Sequence, residues 1–279
     1  MKRSLATNTI TFGGSLADKI AATRRAGFAG IEIWAKDVEE HPGGPADVRR
    51  MLDDSGIAIT SFQVLRDCEA QAATRRVEAR AEAERHFDLM EAVGAQTLLA
   101  CASTREDSRD DPEAAAADLA ELGDLAHGRG LRVAFEALAW SRWTNTCDAA
   151  WRIVRAANRA NVGLVIDTFH VLVCRTPLPR IAEIPMDRVF LVQIADAFLV
   201  PGLPTIETAR HHRVFPGEGD LAVADLMQVV REAGYVGPYS LEIFNDGYRA
   251  EPPNVVARRA MQSLELLFAK TAPPLAEAL

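Results

Sequence analysis

VGLVIDTFH, residues 162–170, is the stretch on which the fold turns. Small and apolar residues run unbroken into Asp167, and a histidine, His170, stands three positions further on. A short continuous apolar run reads as a parallel strand covered on both faces, where no alternation is required. Ending such a run on a carboxylate is costly unless something pairs with it. Three other runs also deliver an oxygen donor at or near their C-terminal end: RVAFEAL (132–138) Glu136, VFLVQIAD (189–196) Gln193 and YSLEIF (239–244) Glu242. Four converging oxygen donors, three of them anionic, suit a divalent cation. Mg2+ or Mn2+ fits best, and Co2+ or Zn2+ is compatible.

Outward from these runs, strand-like and helix-like segments alternate. LATNTI, GIEIW, IAITSFQVL and TLLACAS complete a set of eight strand candidates. Between them lie helical stretches such as SLADKIAATRRAG and DPEAAAADLAELGDLAHGRG. Several helices end in glycine, a common C-cap, and Ser15 and Asp111 stand as N-caps. The unit length and the lack of any linker predict one (β/α)8 TIM barrel, a single α/β domain over residues 1–279. A doubly wound open sheet is the alternative, disfavoured because no GxGxxG follows the first strand. One unit is long: AFLVPGLPTIETARHHRVFPGEGDL (197–221) is predicted to cover the C-terminal mouth of the barrel, where such folds place their chemistry.

With 279 residues, 48% hydrophobic, the chain can bury a large core, and its net charge of −8 argues against a broad nucleic-acid face. Cys68, Cys101, Cys147 and Cys174 form no CxxC pair, as in a reducing compartment. Neither a signal peptide nor a membrane span is apparent, so a soluble, cytoplasmic protein is expected.

Individual residues carry two readings. Glu136 alone would be an ordinary strand-end carboxylate; its three counterparts make it a metal ligand. Gln193 is a core amide or a neutral oxygen donor. His170 is either a group that orients a ligand or, preferred here, a general base within reach of a bound substrate. Arg66, with Asp67 holding it, would grip a substrate carboxylate, and Arg213 is the second candidate. Arg210, His211 and His212 would add to an anion clamp in an otherwise acidic protein. Trp140, Trp143 and Asn145 are pocket walls or core. Asp196 orients Gln193 or His211, or caps the next loop, and Glu32 touches the pocket or closes the rim.

GFAGIEIW, EALAW, VIDTFH, VQIAD, FPGEGDL and SLEIFND, in that order, resemble the xylose isomerase-like TIM-barrel superfamily of sugar isomerases and epimerases over essentially the whole chain. Within it, Gln193 on the seventh strand, FQVLRD and RHHRVFPGEGDL are most similar to bacterial 3-dehydroshikimate dehydratases. That resemblance implies a metal-dependent lyase forming protocatechuate and water. Metal ligands would fall on Glu136, Asp167, Gln193 and Glu242, the catalytic histidine on His170, and substrate-binding arginines on Arg66 and Arg213. The chain departs from the pattern at Ala209, where a hydroxyl residue is expected, and at Cys68 in RDCEA. Ending at Leu279, it is expected to be a stand-alone form without a fused dioxygenase-like domain.

A sugar or inositol-type isomerase, epimerase or dehydratase is the alternative function; its ketose substrates would need Arg66 and Arg213 less. A zinc-cluster endonuclease is disfavoured by six histidines lying mostly off the strand ends. An inert barrel that only binds ligands would lack a metal at the mouth. The expected partner is a small anionic carbohydrate-derived substrate, with no nucleic acid or membrane, and homo-oligomerisation is left open.

Overall fold

All eight predicted runs form strands, which we number β1–β8 within the barrel. They are β1 (Leu5–Asn8), β2 (Gly30–Trp34), β3 (Ala58–Arg66), β4 (Thr97–Cys101), β5 (Arg132–Glu136), β6 (Val162–Asp167), β7 (Val189–Ile194) and β8 (Tyr239–Leu241). The structure is a computed structural model describing residues 4–271. Every strand pairs in parallel with its sequence neighbours, and β1 pairs with β8 (Ala6 opposite Ser240), so the sheet closes into a barrel. The open doubly wound alternative is thereby excluded.

Local chemistry agrees with this topology. Ser15 opens the helix Leu16–Ala26 with a reciprocal capping box to Asp18, and Gly27 closes it in a left-handed conformation that costs glycine little. Asp111 accepts from the Ala114 amide at the start of Pro112–Gly128. Gly163 keeps β6 close to its neighbour: a Cβ there would lie 2.7 Å from the Arg188 carbonyl oxygen.

Two apolar layers follow from the period-2 alternation of the strands. One set of side chains meets the surrounding helices. The other includes Leu99, Cys101, Ala134, Leu138, Val165 and Leu191, which pack together as a separate cluster. Glu136, Asp167 and Gln193 share the parity of this second set and follow it along their strands. They therefore lie just above an apolar floor, at the C-terminal end of the barrel.

The long unit after β7 is more ordered than its sequence predicts. It contains the helix Thr205–His211, and a two-stranded ribbon pairs Asp196–Ala197 with Arg213–Val214. Among the described residues, no helix is long and apolar enough to cross a membrane. The four cysteines are free thiols.

Candidate metal centre and substrate cavity

Each of the eight strands supplies a buried polar or thiol side chain at or just beyond its C-terminal half. In barrel order these are Asn8, Glu32, Gln63, Cys101, Glu136, Asp167, Gln193 and Glu242. The strand register makes neighbours of them: Asn8 lies opposite Glu32, Cys101 opposite Glu136, and Asp167 opposite Gln193. Four of the eight were legible from sequence as a ligand set. Asn8, Gln63 and Cys101 were not, and Glu32 was left between two readings.

Hydrogen bonds fix how these groups point. The Gln193 Nε2 amide faces both Glu32 oxygens (3.3 and 3.2 Å) and Glu242 Oε1 (3.1 Å). Ser61 and Gln63 also donate to Glu32 Oε2, at 2.6 and 3.1 Å. Asn8 Nδ2 donates to Glu242 Oε1 at 2.8 Å. With its nitrogen engaged on carboxylates, Gln193 presents its carbonyl oxygen. That atom, Oε1, is buried without a hydrogen-bond partner, and so is Glu136 Oε1. Leaving a buried acceptor unpaired costs about 1–3 kcal/mol, and more for a charged one.

Glu136, Asp167 and His170 offer ligand atoms that all lie within 4.8 Å of one another. Glu242 joins them through Arg213, whose Nη1 donates to Asp167 Oδ2 (2.8 Å) and Glu242 Oε2 (3.2 Å). The orphaned oxygens beside this carboxylate-rich cluster fit a divalent ion.

Arg213 is 2% exposed, and its Nε and Nη1 donate to buried oxygens. Nε donates to the Ala209 carbonyl (3.1 Å), Nη2 lies 3.3 Å from His170 Nε2, and Phe169 and Phe244 flank the guanidinium. The sequence reading placed it on a substrate carboxylate. In this structure it is bonded to Asp167 and Glu242 instead, the nearest buried carboxylates that need a counterion. Burial works against its charge, but Asp167, Glu242 and Glu136 outweigh that and hold it protonated.

Burial has the opposite effect on the acids. It drives Glu136 well above the usual carboxylate range, helped by Asp167 and Glu242, and lifts Glu242 to about 8 despite Arg213. Glu32 is raised for the same reason. His170, fully enclosed, falls to about 4 and is neutral near pH 7, with Asp167 resisting the shift and Arg213 adding to it. The Ala139 amide donates to His170 Nδ1 at 3.1 Å; a neutral ring cannot also accept from Arg213 Nη2, so in this tautomer the hydrogen sits on Nε2. That nitrogen is 3.5 Å from Asp167 Oδ2 and 3.9 Å from Glu136 Oε1. Trp140 packs edge-on against the ring.

A cavity opens onto this centre, lined by Glu136, His170, Arg213 and Glu242 together with Trp140, Arg66 and Arg210. Arg66 and Arg210 are exposed, and among the described residues neither has a hydrogen-bond or ion-pair partner. Other readings need correction. Asp67 does not hold Arg66: its carboxylate caps the loop after β4, accepting from Ser103 Oγ (3.2 Å) and the Thr104 amide (2.9 Å). His211 does not line the cavity but meets Asp246 at 2.8 Å, and exposed His212 lies 3.9 Å from Glu207. Asp196 accepts from the amides of Ala197, Gly217, Gly219 and Leu221, which assigns it to capping the PGEG turn. Trp143 donates to the Ser108 carbonyl and lies outside the cavity.

Residues 20–267 match the family described as Xylose isomerase-like TIM barrel. The chain belongs to this family. A member from Pseudomonas aeruginosa named 3-dehydroshikimate dehydratase is 42% identical over 271 residues, which are 97% of this chain. The chain spans only 42% of that protein's length. The fold superposes with a TM-score of 0.94 on a xylose isomerase-like TIM barrel/4-hydroxyphenylpyruvate dioxygenase fusion protein, at 39% identity over 97% of this chain and 43% of that one. The IolI protein, solved with a zinc atom, shares the family's barrel at 21% identity, with a TM-score of 0.85, covering 97% of this chain and 100% of that one.

Proposed function

We propose that this chain is a divalent-metal-dependent lyase that dehydrates 3-dehydroshikimate to protocatechuate. The observation that carries the reading is the pair of orphaned buried oxygens, Glu136 Oε1 and Gln193 Oε1, beside a cavity holding two unpaired arginines. The 42% identity to a protein named for that reaction supports the choice of substrate.

Glu136, Asp167, Gln193 and Glu242 would hold the cation, with Mg2+ or Mn2+ favoured by the oxygen donors. When bound, it supplies Lewis acidity that lowers the cost of removing a proton next to a carbonyl. The protein's own groups then bind and move protons. Arg66 and Arg210 are cations free to take the substrate carboxylate, whereas Arg213 is already bonded to Asp167 and Glu242. His170 works at Nε2. In the tautomer selected by the Ala139 amide it donates, which suits protonation of the departing β-hydroxyl. Taking the α-proton at the same atom requires the other tautomer and sacrifices the Ala139 hydrogen bond. Loss of water leaves a dienone that reaches the aromatic ring by tautomerisation.

Incubation of the Mn2+-loaded protein with 3-dehydroshikimate should produce the protocatechuate absorbance, and chelator should abolish it. No product from this substrate, with turnover of an inosose or ketose instead, would overturn the reading in favour of an isomerase.

A further inference from the structure

Glu136 poses a mechanical problem that its own strand does not solve. The last torsion of a glutamate is broad and roughly two-fold, so an unanchored carboxylate swings. A useful ligand needs one oxygen fixed so that the other points at the ion. Glu136 Oε2 has one hydrogen-bond donor among the described residues, the Cys101 thiol, with Sγ 3.0 Å away. Cys101 is the registered partner of Glu136 across the β4–β5 pair, so the strand pairing itself brings thiol and carboxylate together. The thiol is 5% exposed and packs with Leu99, Ala134 and Leu138 at the edge of the cavity. Glu136 Oε1 is the oxygen left without a partner.

We propose that Cys101 is a positioning residue for the metal centre: its S–H holds Glu136 Oε2 and thereby aims Oε1 at the ion. This rests on the metal-dependent reading above. A thiol is a weak donor, and its value here is directional. An apolar side chain of similar size would fill the same space and leave Glu136 free to rotate. A hydroxyl would restore the donor.

The experiment is a Mn2+ titration, followed by the EPR signal of the free ion, of wild type, Cys101→Val, Cys101→Ala and Cys101→Ser, with thermal unfolding of each. Loss of groups that orient metal ligands lowers affinity about 10–100-fold. We expect Cys101→Val and Cys101→Ala to bind Mn2+ about 10-fold more weakly and Cys101→Ser to stay near wild type, whatever the order of their unfolding temperatures. Wild-type affinity in Cys101→Val would overturn the proposal, as would a Cys101→Ser affinity as weak as that of Cys101→Val, because packing alone would then explain the site. A wild-type chain that takes up no Mn2+ would overturn the metal centre itself, and this role with it.

Discussion

Replacing Arg213 with methionine should expose how the buried acids are held. The guanidinium is 2% exposed and contacts Asp167 and Glu242 at 2.8 and 3.2 Å. Methionine fills much of the volume against Phe169 and Phe244 but brings no charge. Removing one partner of a buried ion pair costs about 3–5 kcal/mol, against a typical total stability of about 5–15 kcal/mol. Protonation offsets part of that loss. Glu242 titrates at about 8 because burial outweighs the help of Arg213, and without that help it rises further. At pH 6 the carboxyl is neutral in both proteins, so the loss is smaller. At pH 9 wild type holds a paired carboxylate that the variant cannot form without charge repulsion, so the loss is largest. Urea unfolding of both proteins in chelator, at pH 6 and pH 9, measures the difference. A cost below about 1 kcal/mol at pH 9, or one that shrinks as pH rises, would refute the assignment of Arg213 as the counterion.

Other consequences concern single groups. His170→Ala should leave Mn2+ binding within a few-fold of wild type while turnover of 3-dehydroshikimate collapses; retained turnover removes His170 from proton transfer. Glu32→Ala frees the Gln193 amide to flip, so Mn2+ affinity should fall about 10-fold in an EPR titration, and an unchanged affinity would show that Glu32 does not aim the Gln193 carbonyl. Burial, opposed by the Ser103 amide, raises Glu69 to about 8. Its ordinary value is near 4.3, so between about pH 4 and 8 the folded chain keeps a proton that the unfolded chain has lost. Stability therefore falls as pH rises through that window, by at most about 1.4 kcal/mol per pH unit from this group. Glu69→Gln should flatten that decline in urea midpoints taken from pH 5 to 8, and an unaltered slope would exclude Glu69 as its source.

The barrel could be read from the chain because a parallel strand buried on both faces leaves a plain mark, and eight such marks recur between capped helices. The buried strand-end carboxylates Glu136, Asp167 and Glu242 were legible for a related reason: a charge that closes an apolar run is a conspicuous expense. Cys101, Asn8 and Gln63 carry no such mark. A cysteine in TLLACAS looks like one more small core residue, and what distinguishes it is the register opposite Glu136, which a single sequence does not display. Arg213 was assigned to a substrate carboxylate because a loop arginine beside the barrel mouth suits an anion clamp. Only the ribbon with Asp196–Ala197 folds it back onto Asp167 and Glu242. The helix Thr205–His211 escaped notice because seven residues directly after a proline give too little periodicity to recognise.

The most direct test of the metal centre is a crystal structure of the Mn2+-soaked protein, with the ion located by its anomalous scattering. One ion should lie at the C-terminal mouth, bonded to Glu136 Oε1 and Gln193 Oε1 together with Asp167 and Glu242, with His170 Nε2 outside its coordination sphere. An ion held instead by Glu136, Asp167 and His170, with the Gln193 carbonyl still unpaired, would contradict the account.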